Sequence, residues 1–297
     1  MFPFQFYLSG LLRRLTRLLC FAALPSLVAL VAGDTATAKD PRYTNPLPVT
    51  TPAGATVESC ADPAIIHAGP SGENAWYLYC TTDPLSGDDR DASGNLIFHL
   101  IPIFRSTDLV HWSYVGDAFA ERPDWVADTA GLWAPDIQYF NGQYYLYFAA
   151  SDTKAGGSAI GVATSPSPTG PWTEKGAPVV EPHTAPCCPG APRWTFDPSI
   201  IADDEGQRYI YYGSYFGGIS ARELSADGLT SDPTSQTQIA IPNRYEGAYV
   251  IKRNGYYYLF VSATDCCRGP LTGYSVFVGR STSPLGPFVD RDGISLL

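Results

Sequence analysis

The sequence predicts an all-β fold organised as a propeller, and three observations carry that prediction. Gly and Pro together make up nearly a fifth of the 297 residues, too much backbone punctuation for long helices. Hydrophobic residues are 45% and charged residues 16%, with 19 Tyr, 14 Phe and 6 Trp against one Met, a composition that suits a packed core of short aromatic strands. One plan of paired strands, each pair opening near an acid, recurs four times.

The amino terminus reads as an address. Arg13, Arg14 and Arg17 precede an apolar run from Leu18 to Val31, and Ala36-Thr37-Ala38 fits a small-residue cleavage site. Residues 1–38 are therefore expected to be a secretory signal peptide. Its apolar run is short for a spanning helix, and Pro25 interrupts it. The mature chain is expected to be secreted, extracellular or periplasmic, with no membrane contact after cleavage. Residues 39–57 are polar and Pro-rich and read as a lead-in segment, followed by one domain over 58–297.

Each repeat is a short apolar strand, a turn and an aromatic strand. The first runs Asp62-Pro63-Ala64-Ile65-Ile66, then Trp76-Tyr77-Leu78-Tyr79. The second runs Trp133-Ala134-Pro135-Asp136-Ile137, then Tyr144 to Phe148. The third runs Asp197-Pro198-Ser199-Ile200-Ile201, then Tyr209 to Tyr212. The fourth runs Glu246-Gly247-Ala248-Tyr249-Val250, then Tyr256 to Phe260. Asn141-Gly142 and Asn254-Gly255 predict two-residue hairpins, whose turns need positive φ at both centres. Asp204-Glu205-Gly206 plays the same part in the third unit. A Ser-containing turn ending on an aromatic also recurs, around Ser106, Ser165 and Ser281. Tyr77, Tyr145, Tyr209 and Tyr258, on the second strands, are expected to pack in the core.

The acids at 62, 136, 197 and 246 are 74, 61 and 49 residues apart, a fitting size for propeller blades. Innermost strands line the axial channel, so acids in register on successive inner strands converge there. After Val289 to Gly293 only four residues remain. Four blades are visible, and the domain is expected to be incomplete at its C-terminus.

The formal charge is −10, which repels phosphates and argues against nucleic acid. An acidic surface with many rings suits neutral polyols instead. Without the signal, Cys60, Cys80, Cys187, Cys188, Cys266 and Cys267 remain, an even count expected to form disulfides. The neighbours in each doublet could pair together or across blades. Adjacent cysteines are poor zinc spacing, so no metal site is expected among them. Several carboxylates in an aromatic-walled cavity suit glycoside hydrolysis. That reaction needs one ionised and one protonated carboxyl on opposite sides of a glycosidic bond.

The order Asp62-Pro63, Leu132-Trp133-Ala134-Pro135-Asp136-Ile137, Phe196-Asp197-Pro198-Ser199-Ile200, Gly213 to Gly218 and Glu246-Gly247-Ala248 resembles glycoside hydrolase family 43 from about residue 58 onward. Cys266 to Gly269 and Val278 to Ser281 resemble its arabinanase-type branch. The resemblance implies a five-bladed β-propeller, of which this chain holds about four blades. It implies hydrolysis of arabinan, arabinoxylan or xylan with inversion. Asp62 would be the general base, Glu246 the general acid, and Asp197 the group that tunes and orients Glu246. Trp133 and Phe216 would be sugar platforms, or else pack between blades. Asp136 would line the channel, either positioning substrate or binding backbone N–H groups between blades.

The expected function is a secreted inverting hydrolase cleaving α-1,5-L-arabinofuranosyl linkages, acting as a monomer on a polysaccharide or oligosaccharide. β-Xylosidase or arabinofuranosidase activity is the alternative within the family. A non-catalytic carbohydrate-binding propeller and a protein-interaction propeller are alternatives of other classes. No cofactor is required for the chemistry. The resemblance allows a structural Ca²⁺ in a complete propeller, but His67, His99, His111 and His183 do not stand in the family's axial histidine motif.

Overall fold

The computed structural model describes residue 45 and residues 47–297, apart from 69–72, 187–189, 191, 265, 267 and 268. The expected signal peptide lies outside the described residues, as do Cys187, Cys188 and Cys267.

Four sheets follow one another along the chain. The first holds β1 (Val49–Thr50), β2 (Ala64–His67), β3 (Trp76–Tyr79), β4 (Pro102–Ser106) and β5 (Trp112–Asp117), in the spatial order β1-β5-β4-β3-β2. The second holds β6 (Leu132–Phe140), β7 (Gln143–Ala150), β8 (Ala159–Ser165) and β9 (Thr173–Glu174), paired in sequence order. The third repeats that order with β10 (Ser199–Ala202), β11 (Arg208–Ser214), β12 (Gly218–Leu224) and β13 (Thr237–Ala240). The fourth holds β14 (Tyr245–Arg253), β15 (Tyr256–Ala263) and β16 (Ser275–Ser281). A bridge between Arg280 and Val289 stands where the other sheets run their outer strand. Each is a four-stranded meander or nearly so, the unit of a propeller.

The hairpin dipeptides behave as their chemistry requires. Asn141 and Gly142 have φ of 48° and 79°, and Asn254 and Gly255 have 52° and 76°. The Ser-containing turns recur as well. Ser106, Ser165 and Ser281 hydroxyls accept the N–H groups of Leu109, Ser167 and Ser283. The lead-in is partly blade. Val49 pairs in parallel with Trp112, and Val57 is buried beside Cys80, Leu85 and Phe104. A Cys60–Cys80 disulfide ties this covering segment to the end of β3. Cys266 is also disulfide-bonded.

Apolar cores fill the three gaps between successive sheets. Tyr77, Ile103, Leu146 and Phe148 lie between the first and second. Tyr145, Val162, Ile210 and Tyr212 lie between the second and third, and Tyr209, Ile219, Leu259 and Val261 between the third and fourth. Tyr258 departs from expectation. It is half-buried on the far face of the fourth sheet, while its neighbour Tyr257 takes the core position. The inner strands β2, β6, β10 and β14 stand side by side in that order.

One contact repeats between blades. Tyr79, Tyr147 and Tyr211 sit on the second strands directly opposite Ala64, Asp136 and Ser199. Their hydroxyls donate to the carbonyls of Pro168, Gly228 and Pro284, each in a turn of the following blade. In the fourth sheet the same position is Phe260, opposite Tyr249.

Candidate active site

The site begins with a backbone feature. Asp62, Ala134, Asp197 and Gly247 have φ of 49°, 43°, 53° and 64°, so one left-handed residue kinks the start of each inner strand. Three of the four are not glycine, and such strain is tolerated where surrounding structure over-determines it. Pro follows in the first three, and bulges at Trp133/Asp136 and Glu246/Tyr249 extend the kink.

This register corrects the expectation of four equivalent acids. Asp62 and Asp197 share the kink position with Ala134 and Gly247. Glu246 comes one residue earlier and Asp136 two residues later. Asp136 therefore corresponds to Ser199. Asp136 Oδ2 accepts the Ile200 N–H of the next blade at 2.8 Å, and Ser199 Oγ accepts the Val250 N–H of the next at 3.1 Å. Asp136 is buried and also accepts from the Gln138 amide. Burial pushes its carboxyl up to about 6 against those donors. Asp136 thus binds a backbone N–H between blades, and it also lines the cavity that holds Asp62 and Asp197.

The acids line one cleft with two lobes, Asp136 among them in the first. Asp62, Asp197, Gly247, Tyr249 and Tyr274 line a cavity of about 310 Å³. Asp197 and Glu246, with Trp133, Arg193, Phe196, Ser214, Tyr215 and Phe216, line an adjoining one of about 270 Å³. Asp62 is exposed, and its Oδ2 accepts from Thr81 Oγ1 at 2.7 Å. Thr81 Oγ1 in turn accepts the Ala134 N–H at 2.8 Å, which fixes the first blade's acid against the second blade. Asp197 is half-buried and accepts the Gly247 N–H at 3.1 Å. Burial, then the charges of Asp62 and Glu246, push its carboxyl up to about 7. Half-buried Glu246 accepts the Tyr215 N–H at 3.2 Å. Tyr274 lies against Glu246 as well. Burial and then the hydrogen bond and charge of Glu246 raise the Tyr274 phenol.

The aromatic walls are built by small neighbours. Trp133 is 41% exposed and stacks on Phe196 with ring centroids 5.8 Å apart. A Cβ on Gly131 would stand 2.1 Å from the Trp133 indole nitrogen, so only glycine leaves room for the ring there. Phe216 is 58% exposed on the β11–β12 turn and lines the second lobe, where packing between blades was the competing expectation. Gly213 makes that turn possible, because a Cβ would meet the Gly218 carbonyl oxygen at 1.9 Å.

Thr81, Phe196, Ser214, Tyr215 and Tyr274 were not singled out from the sequence. Phe196 and the Ser214-Tyr215 pair lie within motifs that were, next to Asp197 and Phe216. Thr81 and Tyr274 sit in loops with no pattern of their own. Among the described residues no group of three or more His, Cys, Asp or Glu side chains gathers as a metal site. His67 pairs with Asn74 at 3.1 Å and packs edge-on against Trp76.

Residues 37–297 match the sequence model of Glycosyl hydrolases family 43. An extracellular exo-α-(1→5)-L-arabinofuranosidase of Cellvibrio japonicus is 32% identical over 266 residues, which is 81% of this chain and 69% of that protein. An extracellular endo-α-(1→5)-L-arabinanase of Bacillus subtilis is 31% identical, covering 82% of this chain and 72% of that one. Among solved structures, an endo-arabinanase from Bacillus licheniformis superposes with a TM-score of 0.65 at 28% identity, covering 80% of this chain and 77% of its own. The Cellvibrio cellulosa α-L-arabinanase complexed with arabinohexaose gives 0.64 at 28% identity, covering 81% and 76%.

Proposed function

This chain belongs to family 43 of the glycosyl hydrolases, and we propose that it cleaves α-1,5-linked L-arabinofuranosyl bonds of arabinan in one inverting displacement. The family makes it a glycoside hydrolase, and its relatives are arabinanases and arabinofuranosidases. The observation that carries the mechanism is the grouping of Asp62, Asp197 and Glu246 around one cleft, with Asp197 feeling both other charges.

Each carboxyl has a distinct environment and so a distinct task. Asp62 is open to solvent and oriented by Thr81, which suits a base that takes a proton from water. Glu246 is held between the Tyr215 amide and Tyr274, beside the aromatic lobe, and gives its proton to the leaving oxygen. Asp197 lies between them and, through the Gly247 N–H that it accepts, orients Glu246. The water's oxygen bonds to the anomeric carbon as the glycosidic C–O bond breaks. Water thus loses one proton to Asp62, and the departing hydroxyl gains one from Glu246. No cofactor enters these steps.

The extracellular relatives support export of this chain after removal of residues 1–38. The far face of the fourth sheet carries exposed Val276 and Val278, which supports the reading of a five-bladed fold whose next blade would pack there. The test is product analysis on debranched arabinan beside xylobiose and nitrophenyl glycosides. Arabinose or arabino-oligosaccharides released as the inverted anomer support the reading. Release from xylobiose alone would replace it with the β-xylosidase alternative. Binding of arabinan without turnover would select the carbohydrate-binding propeller.

A further inference from the structure

Four buried side-chain polar atoms lack a hydrogen-bond partner among the described residues: Thr153 Oγ1, Trp172 Nε1, Thr195 Oγ1 and Ser214 Oγ. Of these only Ser214 lines the cleft that holds the three acids. Ser214 is 8% exposed, and it sits at the end of β11, opposite Gly218. Its main chain is bound into the β11–β12 ladder, and the next amide, Tyr215 N–H, is given to Glu246. The residue thus lines the same lobe as the proposed acid, with its hydroxyl's donor and acceptor capacity unused. A buried hydroxyl without a partner is destabilising, and native chains keep few of them.

We propose that Ser214 hydrogen-bonds a ring hydroxyl of the pentose that departs, so that it selects a sugar over other leaving groups. This inference rests on the arabinan-hydrolase reading of the same cleft. A general acid stands next to the leaving oxygen, so the lobe beside Glu246 and away from Asp62 receives the departing residue. That lobe offers Trp133, Phe196 and Phe216 to the apolar faces of a furanose ring. Arg193 at its edge is already paired with Asp152 at 2.5 Å. Ser214 is the buried, unpartnered hydroxyl at its wall, next in sequence to Tyr215, whose side chain also lines the lobe. A site built to pair a substrate hydroxyl discriminates strongly against analogues that lack it, because its own group is then stranded.

The experiment compares the full chain and Ser214→Ala on arabinotriose and on nitrophenyl α-L-arabinofuranoside, whose departing aryl group has no alcohol at a pentose position. The expected result is a loss in kcat/KM of at least about tenfold on arabinotriose and under about threefold on the aryl glycoside. In the Asp62→Asn background, Ser214→Ala should also weaken arabinotriose binding about fivefold or more, followed by titration calorimetry. The Tm of Ser214→Ala should equal or exceed that of the parent, since an unpaired buried hydroxyl is removed. Ser214→Cys, run in parallel, keeps the volume with a weak donor and should show the same preference. Equal losses on both substrates, or none on arabinotriose, would overturn the inference while the arabinan reading stood. A parent chain that neither binds nor cleaves arabinotriose would overturn both.

Discussion

Asp62, Asp197 and Glu246 are the same kind of group in three settings, and their settings decide what each can do. Asp62→Asn or Glu246→Gln should each lower kcat on arabinan at least about a thousandfold and leave the far-UV circular dichroism spectrum unchanged. Asp197 makes a prediction for stability. Its carboxyl titrates near 7 in the folded state and near 3.8 when unfolded, so the folded state holds the extra proton between those values. Stability from this residue is full below pH 4 and is lost as pH rises through 7. Asp197→Asn should therefore match the parent at pH 4 and exceed its stability at pH 8, by at most about 4 kcal/mol, in urea titrations. A larger gap at pH 4 than at pH 8 would show the sign to be wrong. Tyr274→Phe removes a donor from Glu246 without moving the wall. It should lower kcat roughly fivefold and move KM by less than about twofold.

At the scale of the element, the propeller is held by one phenol contact repeated from blade to blade. Tyr147 is the cleanest case, buried and donating to the Gly228 carbonyl at 2.8 Å. Tyr147→Phe keeps the ring and strands that carbonyl, and should lower stability by about 1–3 kcal/mol in denaturant titrations. The phenols were legible as aromatic strand residues, but the sequence pointed to Tyr77, Tyr145, Tyr209 and Tyr258 as the packing set. The first three are buried, and Tyr258 is half-buried. Tyr79, Tyr147 and Tyr211 share a gap with Tyr77, Tyr145 and Tyr209, two residues earlier, so position along the strand decides which of each pair reaches the next blade's turn. Tyr258 is displaced because alternate side chains face opposite sides. Asp136 shows the same limit. Its Trp-Ala-Pro-Asp setting looks like the Asp-Pro settings of Asp62 and Asp197. Only the left-handed residue at Ala134 reveals that the acid is displaced by two positions and serves the neighbouring blade.

At the scale of the molecule, the four sheets are unequal. The second and third are sandwiched between apolar cores on both faces. The first is covered on its outer side by the lead-in and the Cys60–Cys80 bridge. The fourth keeps one face with exposed Val276 and Val278, uncovered among the described residues. Opening free energies follow buried apolar contact, so β15 and β16 amides should exchange with deuterium faster than those of β7 and β8. Equal protection in both pairs would refute this ordering. Reducing the Cys60–Cys80 bridge, which closes a separation of 20 residues, should cost about 3 kcal/mol of stability at the first blade.

The repeat, the hairpin dipeptides and the convergence of acids on the axis followed from residue types and spacing, while the family resemblance singled out Asp62, Asp197 and Glu246 among them, and Trp133 and Phe216 on the cleft wall. Turn chemistry and strand periodicity are local, so short stretches of chain suffice to specify them. The partners of those residues were settled by tertiary structure: Thr81 under Asp62, Tyr274 and the Tyr215 amide on Glu246, the unpartnered hydroxyl of Ser214, and the Ile200 N–H on Asp136. They come from loops and blades far apart in the chain, brought together by the kinks and bulges that set sheet register. A side chain's neighbours across a blade interface depend on that register, which no stretch of sequence states by itself.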